Sequence, residues 1–323
     1  MRRVFSIAVA AAFVSSAAFG DWVYEGQWGS SGSGLAQFNY PWGVGVAPNG
    51  NVYVADMVND RVEYFSAAGF YVGQWGSSGS GSGQFNWPRG VGVASNGNVY
   101  VVDTYNDRVQ YFTAAGSYLG RWGSSGTGNG QLKYAWGVAV APSSGNVYVA
   151  DTGNHRVQYF SAAGSYVGGW GSSGTGNGQF NYPAGVAIAA SGNVYVVDYN
   201  NNRVQYFTAT GLYLGQWGSV GSGDGQFQQP LSVAVDPSSG NVYVADGNNH
   251  RVQYFTAAGS YLGQWGSYGT GFGRFNQPTG LALNCGGSRV YVADSYNFRI
   301  EYFNRNAPAV APASLGRVKA LFK

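Results

Sequence analysis

The sequence NVYVADTGNHRVQYF at residues 146–160 decides the fold, because close copies of it occur six times along the chain. Each of the first five copies is followed by a glycine turn and then by a Trp-Gly pair. The aspartate that the copies share returns at intervals of 47, 48, 47, 48 and 48 residues: Asp56, Asp103, Asp151, Asp198, Asp246 and Asp294. The repeat therefore predicts one small structural unit that is used six times.

The second copy shows what each unit contains. Residues 90–94 alternate small and branched side chains, and an Asn-Gly hairpin signal separates them from the apolar run 99–102. Residues 108–112 form a third β-prone run, and residues 118–122 form a fourth after a glycine turn. A period near 47 residues with four strands is typical of a β-propeller blade. The sequence thus predicts an all-β fold, a six-bladed β-propeller of four-stranded antiparallel blades.

The two ends of the repeat region predict how the ring closes. The last unit stops after its third strand at residues 299–303, with no Trp-Gly pair beyond it. An unpaired strand with a Trp-Gly pair, residues 22–29, precedes the first unit. We expect this N-terminal strand to become the outer strand of the last blade, which removes two exposed sheet edges.

The chain outside the repeats divides into two short segments. Residues 1–20 combine Arg2 and Arg3, an apolar run and a small-residue cleavage site, as in a secretory signal peptide. Residues 21–304 form the propeller, and residues 305–323 form an Ala/Pro linker with a short basic tail. We therefore expect a secreted protein, whether extracellular, periplasmic or on the cell surface. We expect no transmembrane segment and a monomeric propeller.

Charge and cysteine content narrow the classes of function. Residues 21–304 carry eleven Lys and Arg against 14 Asp and Glu, a net charge of about −3. This body is not a basic surface for phosphates, so nucleic acid is a disfavoured partner. The single cysteine, Cys285, cannot form an internal disulfide and has no partner for redox chemistry.

The segment Asn154-His155-Arg156-Val157 with the preceding Val149-Ala150-Asp151 resembles the core of the NHL repeat. The motif Pro183-x-Gly185-Val186-Ala187 in the next unit also fits that family. The resemblance recurs six times over residues 22–303 and implies a six-bladed propeller. It does not imply one function, because NHL propellers include RNA-binding and protein-binding modules, extracellular sensor domains and a few lyases.

The strongest polar pattern is Asp-x-x-Asn-x-Arg, which occurs in every unit. Its members are Asp56, Asn59, Arg61, Asp103, Asn106, Arg108, Asp151, Asn154, Arg156, Asp198, Asn201, Arg203, Asp246, Asn249, Arg251, Asp294, Asn297 and Arg299. A functional interpretation makes these residues anion or metal ligands. The structural interpretation is that Asp and Asn cap loop backbone while Arg binds carboxylate or carbonyl oxygens. We favour the structural role, because a residue present in every blade is needed by every blade.

Neither a metal nor a cofactor is expected. His155 and His250 occupy one repeat position in two non-adjacent blades, whereas zinc needs three or four converging ligands. Lyases of this fold are the serious enzyme alternative, and the family resemblance implies that they gather His, Arg and Tyr around the pore. The inner strands of this chain carry Gly, Val, Ala, Leu and Ile, and no catalytic residue stands out. Glycine strings such as residues 126–130 lie between strands and are interpreted as flexible loops.

The residues that vary between units are concentrated just before each inner strand. Blades one to four are rich in aromatic residues there, and blades five and six are not. With nearby loop residues they define a candidate ligand-binding face: Tyr40, Trp42, Trp87, Arg89, Tyr134, Trp136, Tyr182, Tyr105 and Tyr199. Exposed Trp and Tyr beside one Arg are typical of a stacking or amphipathic contact surface. The alternative is that these aromatic side chains only cover the packing between blades.

These patterns favour a secreted, non-catalytic propeller that recognises a protein, peptide or glycan through one face. The second hypothesis is a lyase or hydrolase with a site at the pore mouth, and the third is an RNA-binding NHL module. Convergence of three or more ionisable side chains at the pore would favour the enzyme hypothesis.

Overall fold

The computed structural model describes residues 18–19 and 21–306, which form six antiparallel blades around a central channel. Blades 1 and 2 contain β3 (Pro41–Val46), β4 (Val52–Asp56), β5 (Arg61–Phe65), β6 (Tyr71–Trp75), β7 (Pro88–Val93), β8 (Val99–Asp103), β9 (Arg108–Phe112) and β10 (Tyr118–Trp122). Blades 3 and 4 contain β11 (Val138–Val140), β12 (Val147–Asp151), β13 (Arg156–Phe160), β14 (Tyr166–Trp170), β15 (Pro183–Ile188), β16 (Val194–Asp198), β17 (Arg203–Phe207) and β18 (Tyr213–Trp217). The predicted six-bladed all-β propeller is confirmed.

The last two blades complete the ring. Blade 5 contains β19 (Pro230–Val235), β20 (Val242–Asp246), β21 (Arg251–Phe255) and β22 (Tyr261–Trp265). Blade 6 contains β23 (Pro278–Leu283), β24 (Arg289–Asp294), β25 (Arg299–Arg305), β2 (Trp22–Trp28) and the two-residue β1 (Ala18–Phe19). Short 3-10 helices follow the second strand in four blades: Thr104–Asn106, Thr152–Asn154, Gly247–Asn249 and Ser295–Asn297.

The core lies between neighbouring blades rather than at one centre. Every residue of β8 is buried, because both faces of this strand pack against adjacent sheets. The outer-strand Trp75 then packs on Phe112 of the next blade, with ring centroids 5.5 Å apart. Each buried Val or Phe side chain contributes about 1.5–3 kcal/mol through the hydrophobic effect. Repeating such contacts six times supplies the stability that the chain cannot take from disulfides.

The inner strands approach each other closely around the channel, which explains their small residues. A Cβ atom at Gly90 would lie 2.5 Å from the backbone oxygen of Trp136 in the next blade. A Cβ at Gly116 in the outer hairpin would similarly lie 2.6 Å from Trp75. Glycine at these positions therefore sets how tightly adjacent blades can pack.

The ring closes as predicted, through β2. This strand pairs antiparallel with β25, from Trp22 opposite Arg305 to Trp28 opposite Ile300. The junction with blade 5 is distinct, because blade 6 lacks the outer hairpin turn that other blades use. In the ordinary junction the Tyr100 hydroxyl donates to the backbone oxygen of Ala162, at 3.1 Å.

At the closing junction, Arg305 replaces that hairpin turn. Its Nη2 donates to the hydroxyl of Tyr243 at 2.9 Å and to the Asp236 carboxylate at 2.6 Å. Trp22 fills the remaining space, 5.6 Å from both Tyr243 and Trp265. Arg305 is the last residue of β25. The rest of the expected leader and tail, residues 1–17, 20 and 307–323, lies outside the described residues.

Candidate binding face at the channel mouth

The Asp-x-x-Asn-x-Arg motif forms a buried network in every blade, which we call the Asp–Arg belt. In blade 2, Asp103 lies opposite Arg108 in the β8–β9 ladder and accepts a bond from Arg108 Nε at 2.7 Å. Asn106 donates to the same carboxylate at 2.9 Å, and the backbone N–H of Asn86 donates to it at 2.7 Å. Asp103 is fully buried, so each of its oxygens needs these donors.

The belt anchors the Ser/Gly-rich loops that join one blade to the next. The two terminal nitrogens of Arg108 donate to the backbone oxygens of Ser80, Gly81 and Gln84. Asn106 donates to the backbone oxygen of Gly79 at 2.9 Å. The other blades repeat this arrangement, and each loop also contains a parallel bridge such as Ser78 to Phe85. Side chains from the following blade therefore hold loops that the glycine content alone had suggested were flexible.

The two histidines belong to a second structural ring. His155 Nδ1 accepts a bond from the backbone N–H of Tyr182 at 3.1 Å, and His250 Nδ1 accepts one from Gln277 at 3.0 Å. Asp60, Asp107 and Asn202 accept the equivalent N–H of the next blade. Each of these bonds fixes a donor residue in the left-handed backbone region, as for Tyr182 with φ of +58°. The sequence already indicated this structural role, because five of the six residues at this repeat position can accept a hydrogen bond.

At one end of the channel, six side chains form what we call the mouth ring. Each blade contributes one residue near the N-terminal end of its inner strand, the second residue of the strand in five blades and Trp136 two residues before β11 in blade 3: Trp42, Arg89, Trp136, Ala184, Leu231 and Thr279. The Arg89 guanidinium packs against two indole rings, 4.6 Å from the centroid of Trp42 and 4.4 Å from that of Trp136. The two indoles are themselves edge to face, with centroids 6.0 Å apart, and Tyr199 lies 5.5 Å from Trp136.

Arg89 differs from the sequence-based expectation of an exposed contact residue. Only 9% of it is accessible, and its Nε has no hydrogen-bond partner. Burial lowers its pKa to about 10, with the nearby hydroxyls of Tyr105 and Tyr199 acting in the opposite direction. The guanidinium is recessed because the two tryptophans of the flanking blades enclose it. Attraction between a cation and indole faces offsets part of its desolvation cost, by about 2 kcal/mol at a desolvated site.

Outside the mouth ring, three aromatic residues form a continuous patch, which we call the outer arc. Tyr105 lies at its centre, 5.3 Å from Trp87 and 5.6 Å from Tyr134, both edge to face. Tyr105 and Tyr134 are 45% and 46% exposed. Nearly half of each of these two side chains therefore faces solvent on this side of the propeller.

The remaining two candidate residues stand apart from the arc. Tyr182 is 43% exposed and packs edge-on against His155, at 4.8 Å. Tyr40 contacts Tyr296 and Phe298 at the junction of blades 6 and 1, at 4.9 and 5.3 Å. The structure thus brings seven of the nine sequence-derived candidates into two adjoining groups and leaves Tyr40 and Tyr182 on their flanks.

The channel behind the mouth ring is lined by apolar side chains and by exposed polar groups of the backbone. It encloses about 250 Å³, and its walls carry Val, Ala, Leu and Ile side chains and glycine backbone. Ser232 and Thr279 are its polar side chains, and the Thr279 hydroxyl donates to the backbone oxygen of Trp42 at 3.0 Å. Such walls supply neither a general acid nor a general base to a bound molecule.

Sequence analysis overlooked two buried carboxyl groups under the Ser/Gly loops. Glu63 and Glu301 occupy the third-strand position that glutamine fills in blades 2 to 5. Burial raises the pKa of Glu63 to about 7 and that of Glu301 to about 8, although Arg61 and Arg299 lie nearby and lower them. The two groups belong to the Asp–Arg belt and lie away from the channel lining. The replacement of glutamine by glutamate within an otherwise regular repeat was the available signal.

Across residues 18–19 and 21–306, no cluster of three or more His, Cys, Asp or Glu side chains is suited to hold a metal ion. Cys285 is an exposed free thiol in a turn. The same described part of the chain contains no helix with the length and apolar character needed to cross a membrane.

The family model for the NHL repeat matches the chain six times. The matched segments are residues 38–62, 85–112, 132–160, 180–207, 227–255 and 275–303. The chain therefore belongs to the NHL-repeat family of β-propellers, as its motifs had indicated. A search of curated proteins found no significant sequence match.

Solved structures show the same fold at low sequence identity. A gluconolactonase from Xanthomonas campestris is 14% identical with a TM-score of 0.64, covering 89% of this chain and 91% of its own. Virginiamycin B lyase from Staphylococcus aureus is 12% identical with a TM-score of 0.58, covering 84% and 82%. A chain of a nidogen/laminin complex is 16% identical with a TM-score of 0.54, covering 71% and 81%. Identities this low establish a shared fold and leave the activity open.

Proposed function

We propose that this chain is a secreted, non-catalytic propeller that recognises a protein, peptide or glycan through the face formed by the mouth ring and the outer arc. The observation that carries the proposal is the exposure of Tyr105 and Tyr134 beside one another on a single sector of that face. Tyrosine offers a large apolar ring with a polar tip and loses little conformational entropy when it binds. Such a patch is suited to stacking against a sugar ring or a peptide side chain.

The composition of the channel supports binding over catalysis. Its lining consists of apolar side chains, two hydroxyl groups and backbone, and a single cation is recessed at its mouth. A hydrolytic or lyase site requires distinct acid, base and electrophilic groups in one place. The nidogen/laminin neighbour, a fold of this class found in a protein complex, is consistent with a binding role for the architecture.

Secretion is part of the same proposal and rests on the leader pattern of residues 1–20. Removal of that leader before Asp21 leaves Trp22 in the closing junction, where it is fully buried. N-terminal sequencing of the exported protein is expected to begin at Asp21. Retention of residues 1–20 in the cell fraction would contradict the assignment of the compartment.

A screen of the purified protein on glycan and peptide arrays, repeated with two double variants, tests the binding function. Tyr105→Ala with Tyr134→Ala removes exposed rings from the face. Tyr118→Ala with Tyr166→Ala is the matched control, because those tyrosines are 38% and 37% exposed on outer strands. We expect array hits that weaken at least 10-fold in the first variant and persist in the control. Hits that both variants retain equally would refute the proposed face.

A further inference from the structure

Arg89 is a buried cation for which the described residues provide no counter-charge. It is 9% accessible, and neither an ion pair nor a hydrogen bond partners its side chain within residues 18–19 and 21–306. The other buried arginines of the described propeller each donate hydrogen bonds to an aspartate and to backbone oxygens. Arg108, for example, is 5% accessible and donates to Asp103, Ser80, Gly81 and Gln84. An unpaired buried guanidinium is costly and needs a compensating group.

The fold itself does not require a cation at this position. The equivalent residues of the other five blades are uncharged, namely Trp42, Trp136, Ala184, Leu231 and Thr279. The same turn and the same inner strand form in each of those blades, with proline or alanine before the residue. Arg89 is therefore an addition to the repeat rather than a part of its scaffold.

The surroundings orient the guanidinium plane. Two indole faces, at 4.4 and 4.6 Å, contact it on adjacent sides, because the two rings are themselves edge to face with centroids 6.0 Å apart, and a guanidinium packed in this way keeps its N–H edges for hydrogen bonding. The unpartnered Nε lies on such an edge. The edge of a guanidinium is the geometry that binds both oxygens of a carboxylate at once.

The number of charges distinguishes between anionic ligands. Arg89 is the single charged member of the mouth ring, and the two side chains that pack on its guanidinium are indoles. A polyanion would need several cations spread over the face, and the propeller body is net acidic. One recessed cation beside two indole rings instead fits one carboxylate at the end of an apolar body.

We infer that Arg89, packed against the faces of Trp42 and Trp136, receives a single carboxylate group of a ligand whose apolar part contacts the indoles. The inference deepens the proposed binding function and rests on it. The carboxylate replaces the missing counter-charge, and the surrounding rings exclude water from the ion pair. Two sources share this chemistry, a small monocarboxylic acid and the free C-terminus of a peptide.

Titrations of the full ¹⁵N-labelled protein test the inference directly. The probes are hexanoate, its neutral analogue hexanamide, inorganic phosphate, and acetyl-Gly-Gly-Leu with either a free or an amidated C-terminus. The readouts are the Nε–H signal of Arg89 and the indole N–H signals of Trp42 and Trp136. We expect hexanoate and the free-acid peptide to shift these signals and both neutral analogues to leave them in place. Tighter binding of the free-acid peptide than of hexanoate would identify a chain end as the source.

Substitution of Arg89 distinguishes a role in binding a ligand from a role in packing alone. Arg89→Leu is expected to fold, because Leu231 fills the same position in blade 5, and to weaken binding of hexanoate at least 10-fold. Arg121→Leu is the matched control, because Arg121 is exposed on an outer strand, and it is expected to bind as the unmodified protein does.

Three results would overturn the inference. They are equal shifts with hexanoate and hexanamide, a response to phosphate alone, or no response of Arg89 to any probe. The last result would mean that the cation only closes the channel. Array ligands that bind Arg89→Leu normally but lose affinity for the Tyr105→Ala and Tyr134→Ala double variant would refute the carboxylate site and leave the proposed function standing.

Discussion

The Asp–Arg belt and the mouth ring are both built from one residue set per blade, yet they differ in how far the blades agree. The belt repeats the same Asp, Asn and Arg six times with Asp–Arg distances of 2.7–2.8 Å. The mouth ring contains tryptophan twice and four other residue types once each. In the belt each buried arginine pairs with its aspartate, whereas the mouth ring leaves one cation unpaired. Uniform positions thus maintain the scaffold, and the divergent positions are those available for recognition.

The largest effect is expected from breaking the belt. Asp103→Ala leaves Arg108 buried without its carboxylate, which should lower the free energy of unfolding by about 3–5 kcal/mol. Equilibrium unfolding in urea measures the change, and Asp224→Ala, at an exposed loop position, is the control with an expected change below about 0.5 kcal/mol. A loss of less than about 1 kcal/mol for Asp103→Ala would remove the belt from its structural role.

A smaller change in stability, of opposite sign, is expected at Glu301, where the belt has glutamate instead of the glutamine of blades 2 to 5. In blade 2, the Gln110 amide donates to Gln84 at 2.6 Å and to Asp103 at 3.1 Å, bonds that an ionised glutamate cannot donate. Glu301→Gln should therefore stabilise the protein by about 1–2 kcal/mol at pH 9.

The dependence of this gain on pH follows from the raised pKa. The folded protein holds a proton on Glu301 up to a pKa of about 8, above its ordinary value of 4.5. The unmodified protein consequently loses stability as the pH rises between these two values, and the advantage of the Gln variant grows over that interval. Exposed Glu25→Gln provides the control. A constant advantage from pH 5 to pH 9 would contradict the buried, protonated state of Glu301.

The hydrogen bond that His250 accepts from the next blade should make a weaker contribution to stability, and one that is lost at acidic pH. His250 accepts a hydrogen bond at Nδ1, and burial lowers its pKa. Its stabilising contribution is thus complete above the ordinary pKa of histidine and is lost as the pH falls through the lowered value. Because Asn202 performs the same task in blade 4, His250→Asn should keep the bond and gain about 1 kcal/mol or less over the unmodified protein at pH 5. Thermal unfolding at pH 5 and pH 7.5 measures this, and equal responses of both proteins would disprove it.

The smallest stability effect is expected at the mouth ring. Arg89→Leu replaces an unpaired buried charge by an apolar group that blade 5 already uses there, so stability should change by less than about 1 kcal/mol, or rise. The same urea titration that is applied to Asp103→Ala gives the direct contrast. A loss comparable with that of Asp103→Ala would make Arg89 part of the scaffold and erase the difference between the two regions.

The sequence predicted those features that depend on a repeated pattern. Strand order, six blades and the closing role of residues 22–28 follow from the period and from the unequal ends of the repeat region. The burial of Arg89 could not be predicted, because it depends on indoles that lie 47 residues away on either side and meet only when the ring closes. The substitution of Arg305 for a missing hairpin likewise depends on contacts across the closing junction.

Two features were visible in the sequence, but their structural role could be recognised only from the fold. The residues at the histidine position are almost all acceptors, yet their shared donor, the next blade's backbone, becomes evident only from the geometry. Glu63 and Glu301 stand out as exceptions among glutamines, but their burial decides their protonation. The exposure of Tyr105 and Tyr134, on which the proposed function rests, also required the structure.

Hydrogen exchange with a ligand from the arrays tests most directly whether recognition occurs at the mouth ring and outer arc. Peptides that cover residues 39–42, 86–90, 104–107 and 133–136 report on this face, and the hairpins at residues 48–51 and 95–98 report on the opposite end of the channel. We predict that bound ligand slows exchange in the first set and leaves the second unchanged. Protection confined to the opposite hairpins or to the outer strands would contradict the account.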